Sequence, residues 1–385
     1  MRKSKYLVLS SFYFDFNNDL SEIKEIKALF ENQNILDLFR FDKMKTIIKE
    51  KFSKYKNINF VYLPKNIESL ESGVFSECKI QSLDLSRYIK LKNIKEYAFF
   101  ENQIKYLKLP KNIEIINISA FDENQIKNLD LSNCINLKNI DNSAFSENQI
   151  KHLRLPKNIE IIGDWAFANN KIEILDLSYC INLKNIKEYA FFENQIKYLK
   201  LPKNIEIIKG WAFSINQIKI LDLSKCIKLK NIEVYAFSIN QIKQLKLPKN
   251  IEIIKGWAFE KNKIEILDLS NYIKLKSINN LAFEENSIKQ LKLPKNIEIL
   301  GNFAFYSNQI EILDLSNYTK LKEIKELSFL DNPLKRIKIL DDIMIEYNND
   351  YKNDLWNRFV EYYNKNNKKS GDYKLENDEW QWYPL

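Results

Sequence analysis

Apolar residues recur along this chain in a fixed order. The skeleton is Ala-Phe-x-x-Asn-x-Ile-x-x-Leu-x-Leu, then Pro or Ser, then an Ile before the next Ala-Phe. Residues 257–269 show it cleanly, with Trp257, Ala258, Phe259, Asn262, Ile264, Leu267 and Leu269. Leu-x-Leu has the period of a strand, and predicts a short one with both leucines pointing inward. The phenylalanines run Phe75, Phe99, Phe121, Phe145, Phe167, Phe191, Phe213, Phe237, Phe259, Phe283, Phe305, Phe329, in steps that alternate 24 and 22. This predicts twelve coils of two kinds. The phrase Leu-Pro-Lys-Asn-Ile-Glu starts at Leu63, Leu109, Leu155, Leu201, Leu247 and Leu293, always 46 residues on, and Leu-Asp-Leu-Ser keeps the same period from Leu83 to Leu313. Such self-similarity predicts a solenoid, because no single unit can bury its apolar face alone. One strand per coil predicts a continuous parallel sheet of Leu-x-Leu segments along one face.

An Asn column follows the Phe column by three residues, from Asn102 to Asn332, with Cys78 in its place in the first coil. A side-chain amide both donates and accepts, so a stacked Asn can satisfy backbone groups that a buried turn cuts off from water. The pattern Ile-x-x-x-Ala-Phe-x-x-Asn/Cys-x-Ile-x-x-Leu-x-Leu-Pro resembles the BspA-type leucine-rich repeat, over roughly residues 61–340. In the tail, Phe359, Tyr363, the run Lys368-Lys369-Ser370-Gly371-Asp372-Tyr373 and Trp380 resemble the helix-plus-hairpin segment that closes such arrays. What the resemblance implies is a leucine-rich repeat solenoid that binds other proteins, often host or matrix proteins, and no shared chemistry.

The length of 385 residues ordinarily suggests two or three globular domains. The repeat replaces that expectation with one array and two caps: residues 1–60 as an N-terminal β/α cap, 61–340 as the solenoid, and 341–385 as a helix-plus-hairpin cap. Terminal coils need such caps to cover their apolar edges. Tyr6–Phe16 reads as a β-prone apolar run. Residues 20–56 read as helical, with Ile23, Ile26, Leu29 and Phe30 at helical spacing and Phe39, Met44, Ile47 and Ile48 after a break. No stretch approaches the ~20 apolar residues of a membrane helix, and the short, mixed segment after Arg2, Lys3 and Lys5 is a poor secretion signal. Cys134, Cys180 and Cys226 share one column, which Tyr88, Tyr272 and Tyr318 fill elsewhere. Two coils separate neighbouring cysteines by roughly 9.6 Å, beyond disulfide reach and too far for a shared metal. Packed thiols then point to a reducing compartment, cytoplasmic or host-intracellular, with surface display or secretion as the alternative.

The formal charge is +9, yet much of the charge cancels in columns. Between the strand leucines the sign alternates, as in Asp84, Lys108, Asp130, Arg154, Asp176, Lys200, Asp222 and Lys246, and a second ladder runs Glu68, Lys92, Glu114, Lys138 onward. Opposite charges on adjacent strands hold register, each exposed pair contributing only ~0–1 kcal/mol. On this reading Asp222→Lys weakens the fold at low salt and recovers at high salt. The excess lysine lies in columns such as Lys105, Lys127, Lys151, Lys197, Lys219, Lys243 and Lys65, Lys111, Lys157, Lys203. They form a rim that suits an acidic partner. Arginine is rare and no recognition helix or RNP motif appears, so specific nucleic-acid readout is not expected.

The most variable column precedes the first strand leucine, and includes Tyr106, His152, Ile174, Tyr198, Ile220, Gln244 and Ile266. It shares the outer face with the Asp/Lys ladder, where Ile174, Tyr198 and Ile220 are consecutive. Exposed apolar groups mark interaction sites, although aliphatic cover for the ladder is the plain alternative. A second aromatic column, Trp165, Tyr189, Trp211, Tyr235 and Trp257, precedes Ala-Phe. It suits packing over the core edge, or a platform for a glycan or partner. His152 is the single histidine, so a histidine dyad is impossible, and no phosphate loop or nucleophile elbow is present. No cofactor or catalytic residue is expected. The leading reading is a non-enzymatic module binding a partner protein on the concave strand face. Its competitors are a surface adhesin for a host or matrix protein or glycan, and a structural or self-associating array.

Overall fold

The computed structural model describes residues 34–39, 43–47, 52–53 and 55–385. The apolar runs expected at Tyr6–Phe16 and at Ile23 to Phe30 lie outside these residues, as does Ile48. The chain forms two compact units, Met1–Ile174 with Tyr179–Leu183, and Leu175–Ser178 with Lys184–Leu385. Each is a stack of short coils in which two kinds of strand alternate, a parallel β-solenoid.

In the first unit, two-residue strands form an uninterrupted parallel ladder through Thr46–Ile47, Ser69–Leu70, Asn93–Ile94, Ile115–Ile116, Asn139–Ile140 and Ile161–Ile162. The second unit repeats this through Asn231–Ile232, Ile253–Ile254, Ser277–Ile278, Ile299–Leu300, Glu323–Ile324 and Met344–Ile345. The Leu-x-Leu strands behave differently. They pair only two by two, as in Ser82–Asp84 with Tyr106–Lys108, Asn128–Asp130 with His152–Arg154, and Ile220–Asp222 with Gln244–Lys246. The expected continuous Leu-x-Leu sheet is therefore corrected to separate doublets.

The residues after the two kinds of strand differ in their bonding. An Asp-type strand passes its next N–H to the following coil, as Leu85 N–H donates to Lys108 O and Leu223 N–H to Lys246 O, both at 2.8 Å. A Lys-type strand ends in Leu-Pro, and proline has no N–H to give. Its leucine N–H donates instead to a tyrosine hydroxyl inserted from the following coil. Leu63 bonds Tyr88 Oη at 2.9 Å, Leu155 bonds Tyr179 at 3.1 Å, and Leu247 and Leu293 bond Tyr272 and Tyr318 at 3.0 Å. Where cysteine holds the column without a neighbouring tyrosine, the thiol bonds the proline carbonyl, Cys134 to Pro110 O and Cys226 to Pro202 O. There Leu109 and Leu201 are 9% and 8% exposed, against 0–2% for the four tyrosine-covered leucines. Burial pushes both thiols up to about 11, which keeps them protonated and unreactive.

Beneath the strands, the Phe column is one face-to-face stack within each unit. Phe99, Phe121 and Phe145 lie 5.2 and 5.3 Å apart in the first, and Phe213, Phe237 and Phe259 lie 5.4 and 5.9 Å apart in the second. The turn that carries each Phe donates three backbone bonds forward. Tyr97, Phe99 and Glu101 N–H reach Ile118, Ala120 and Asp122 O at 2.9–3.0 Å. The Asn column closes the remaining gaps, as expected: Asn148 Oδ1 accepts from Ile126 N–H while its Nδ2 donates to Phe121 O.

Two corrections concern the ends. The helical reading of 20–56 fails where it can be compared, because Ile35–Asp37 and Thr46–Ile47 are strands pairing with Phe60–Tyr62 and Ser69–Leu70. Leu36, Leu38 and Ile47 are buried, and Phe52 stacks on Phe75 at 5.4 Å, so an additional coil precedes residue 61. At the other end the ladder continues to Ile345. A helix, Leu355–Lys365, then lays Trp356, Phe359, Val360 and Tyr363 over the last coil, with Trp356 4.9 Å from Phe329. Asp354 caps that helix and also accepts the N–H of Asp331. The hairpin Gly371–Glu376 and Glu379–Tyr383 adds antiparallel strands to Arg336–Ile339, fixed by a bidentate Arg336–Asp372 pair.

Candidate functional site

Each three-residue strand turns its middle leucine or valine inward, buried in most coils and half-buried at Val61, Leu153, Leu245 and Leu291, so the first-position column is an outward one by simple alternation. Tyr106 is registered beside Ser82 and His152 beside Asn128 in the first unit. In the second, Ile220 is beside Gln244 and Ile266 beside Gln290. All seven candidate residues of this column are exposed, with Ile174 and Ile266 at 65% and 63%. Ile174 belongs to the first unit, and Tyr198 and Ile220 to the second.

The Asp/Lys ladder on the same face has the expected register, Asp84 beside Lys108, Asp130 beside Arg154 and Asp222 beside Lys246. Its chemistry differs from the expectation. A direct ion pair appears at Asp268–Lys292, 3.4 Å. The main partner of each aspartate is the serine two residues on: Asp268 Oδ1 accepts from Ser270 N–H at 3.0 Å and Ser270 Oγ at 2.6 Å. Asp84, Asp130, Asp176 and Asp314 repeat this with Ser86, Ser132, Ser178 and Ser316. The Leu-Asp-Leu-Ser phrase thus encodes a strand-ending turn, and charge pairing is secondary. Ser224, through its side chain and N–H, holds the Asp222 carboxyl below the usual carboxylate range, with Lys246 adding to the effect.

This changes what substitution does. Asp222→Asn keeps an acceptor for Ser224 and loses little at neutral pH. Asp222→Lys loses about 1 kcal/mol that salt does not restore, from the missing acceptor, plus a smaller part that salt screens. The pH effect follows from the lowered pKa. The stabilisation is present above the unfolded-state value and disappears as pH falls through the folded one, so wild type and Asp222→Asn converge in strong acid. Thermal melts across pH and salt check both points. A loss in Asp222→Lys that high salt fully reverses would restore the purely electrostatic reading.

The second ladder is built from ion pairs. Lys92–Glu114, Lys138–Glu160, Lys230–Glu252 and Lys276–Glu298 lie 2.8–3.3 Å apart, all well exposed. Beside it runs an apolar edge that the skeleton pattern concealed. Ile89, Ile135, Ile181, Ile227 and Ile273 recur every 46 residues, all exposed, Ile181 at 45% and the others at about 60%. With Ile253 and Ile299, Ile273 lines an open groove of about 560 Å³. The signal was available in the recurrent Ile that follows the Cys or Tyr of the thiol column in every case from Tyr88 to Tyr272, with Thr319 after Tyr318.

The aromatic column stacks within the second unit. Tyr189, Trp211, Tyr235 and Trp257 follow one another at 5.0, 4.7 and 4.9 Å with rings 10–22° from parallel. Trp165 belongs to the first unit and is 37% exposed. Rings stacked this closely cover one another's faces, so Trp211 and Tyr235 offer solvent their edges, whereas a sugar ring packs against an aromatic face. Each of these residues also holds the left-handed backbone conformation, φ 55–60°. Outside glycine this costs about 1–2 kcal/mol. It is compensated by the forward bonds Tyr189 N–H to Gly210 O and Trp211 N–H to Val234 O, both 3.1 Å. Close approach explains Gly210, where a Cβ would lie 3.1 Å from Val234 O. Three residues after this column, burial and the carboxylates of Glu260 and Glu285 push the Glu284 carboxyl up to about 7. That group lies on the turn surface beside Lys261, which pairs with Glu260 and Glu285. Among the described residues no helix is long and apolar enough to cross a membrane.

A family model described as a BspA type leucine rich repeat region matches in 6 copies, over residues 10–99, 84–191, 172–274 and 230–354. No curated protein matches. Among solved structures, the functional domain of InlJ from Listeria monocytogenes is 16% identical, with a TM-score of 0.41 over 78% of this chain and 64% of that one. This chain therefore spans less than two thirds of that domain. A leucine-rich repeat protein from Bacteroides ovatus is 16% identical, with a TM-score of 0.43 over 81% and 82%. YopM from Yersinia enterocolitica is 18% identical, with a TM-score of 0.41 over 83% and 75%. Repeats of this kind are typically non-enzymatic. The six-copy match across residues 10–354 and the coil geometry agree, and the chain belongs to the BspA-type leucine-rich repeat family.

Proposed function

We propose that this protein is a non-enzymatic interaction module that binds a partner protein on the face of its three-residue strands. Leucine-rich repeat proteins bind proteins generally, and the observation that carries the reading here is the first-position column. Tyr198, Ile220 and Ile266 stand exposed on strands whose backbone is fixed by ladder bonds, so an interface formed there orders little that is not already ordered. Aromatic and aliphatic anchors of this type supply most interface energy once desolvated, each truncation costing about 1–2 kcal/mol or more. The covered ring faces of Trp211 and Tyr235 speak for a packing role in the aromatic column and against a glycan platform.

The test compares partner recovery by wild type, by Tyr198→Ser/Ile220→Ser/Ile266→Ser, and by Trp211→Ala/Trp257→Ala. The triple variant should melt as wild type does and lose the partner. The tryptophan variant should lose some stability and keep the partner. Retention by the triple variant with loss by a folded tryptophan variant moves the site to the aromatic column.

A further inference from the structure

Lysines of the rim differ in what surrounds them. In the second unit, Lys289 pairs with Glu265 at 3.5 Å and Lys335 with Glu311 at 3.0 Å. In the first unit, Lys105, Lys127 and Lys151 occupy three successive coils, tied by Lys151 N–H to Lys127 O at 2.9 Å, and all are exposed. Among the described residues no carboxylate lies in ion-pair range of these three, nor of Lys108 or Arg154 on the same face. The acidic groups nearby are Asp84 and Asp130, each with one oxygen committed to a serine, and Glu173, which continues the lysine column one coil beyond Lys151. Tyr106 and His152 stand exposed between the charges.

We propose that this face of the first unit binds an extended acidic segment of a polypeptide, its carboxylates on Lys105 and Lys151 with Lys127 between them, and an apolar residue on Tyr106. The proposal rests on the strand face being the contact surface, and adds the chemistry of the partner. Charge complementarity favours a negative occupant. Its form follows from the two aspartates. A uniformly charged strand such as a nucleic acid would bring a phosphate against Asp84 or Asp130, whereas a peptide can leave an uncharged residue there. Spacing agrees. Adjacent coils lie about 4.8 Å apart, so Lys105 and Lys151 are roughly 9.6 Å apart, and an extended chain advances about 3.3 Å per residue. Acidic residues three apart therefore meet lysines two coils apart.

The experiment uses the full chain and a fluorescein-labelled peptide with Glu at every third residue and Ala or Leu between, followed by anisotropy. Binding should be saturable and weaken steeply with salt. Lys105→Glu/Lys151→Glu should reduce affinity by about tenfold or more, and the milder Lys105→Gln/Lys151→Gln should reduce it without disturbing the fold. Lys335→Glu, at a position already paired, should change little, and labelled polyuridylate should bind more weakly than the peptide. No peptide binding, wild-type affinity in both double variants, or tighter binding of polyuridylate would each overturn the proposal. Failure here leaves the Tyr198/Ile220/Ile266 test standing, since that test reads a different unit.

Discussion

Asn240→Leu should remove several kcal/mol of stability from a side chain that touches no ligand and carries no charge. Asn240 is 6% exposed. Its Oδ1 accepts the N–H of Ile218 at 3.0 Å, one coil back, and its Nδ2 donates to Phe213 O at 2.9 Å and to Ser238 O at 3.2 Å. Leucine matches the volume and replaces none of these bonds. It leaves a buried N–H and a buried carbonyl with no water, at about 1–3 kcal/mol each. A loss of roughly 3–5 kcal/mol is expected by urea denaturation, a large fraction of the ~5–15 kcal/mol typical of a folded domain. Asn240→Cys should fall between. Cys78 already occupies this column and donates to Phe52 O at 3.5 Å, so a thiol keeps one of the bonds. A loss below about 1 kcal/mol for the leucine variant would mean that the turn finds other partners.

Phe237→Ala is expected to be comparably severe for a different reason. Phe237 is fully buried between Phe213 and Phe259, so truncation opens a hole in the middle of a stack that cannot collapse without moving whole coils. Phe-to-Ala changes in such sites cost about 3–5 kcal/mol. In a linear array each coil is stabilised only by its neighbours. The variant should therefore lose cooperativity as well as stability, unfolding in two transitions where wild-type unit two should show one. Calorimetry or urea titration followed by tryptophan fluorescence reads this directly. A single transition displaced by under 1 kcal/mol would show that the Phe column is not the continuous spine its geometry suggests.

Much of this was legible in the chain because the repeat prints its own alignment. Phe237 and Asn240 could be assigned to buried columns from spacing alone, since a side chain at a given step of a stacked coil meets its own copy above and below. The exposed column could be read for the same reason, as Ile220 and Ile266 follow from the alternation around Leu221 and Leu267. Other features depend on what one coil does to the next, and spacing is silent there. Nothing in the phrase Leu-Pro says that Leu247 will turn its N–H to Tyr272. Nor does Leu-Asp-Leu-Ser reveal that Asp268 serves Ser270 before Lys292. The left-handed backbone at Trp211 is equally hidden, because aromatic residues are not the ones that favour it. Leu36-Asp37-Leu38 was missed through a shift of one residue: Leu36 precedes Leu83 by 47 where the period is 46.

The alternation of two kinds of strand has a consequence for how such a chain can grow or shrink. Inserting one coil of 22 or 24 residues would set two strands of the same kind side by side, with two like charges in register. Inserting a full 46-residue block restores every donor, acceptor and charge at both seams. The array therefore behaves as a text that can be lengthened only by whole sentences. Duplication or loss at the level of the gene is silent to the fold when it comes in that unit, and ruinous when it comes in half of it.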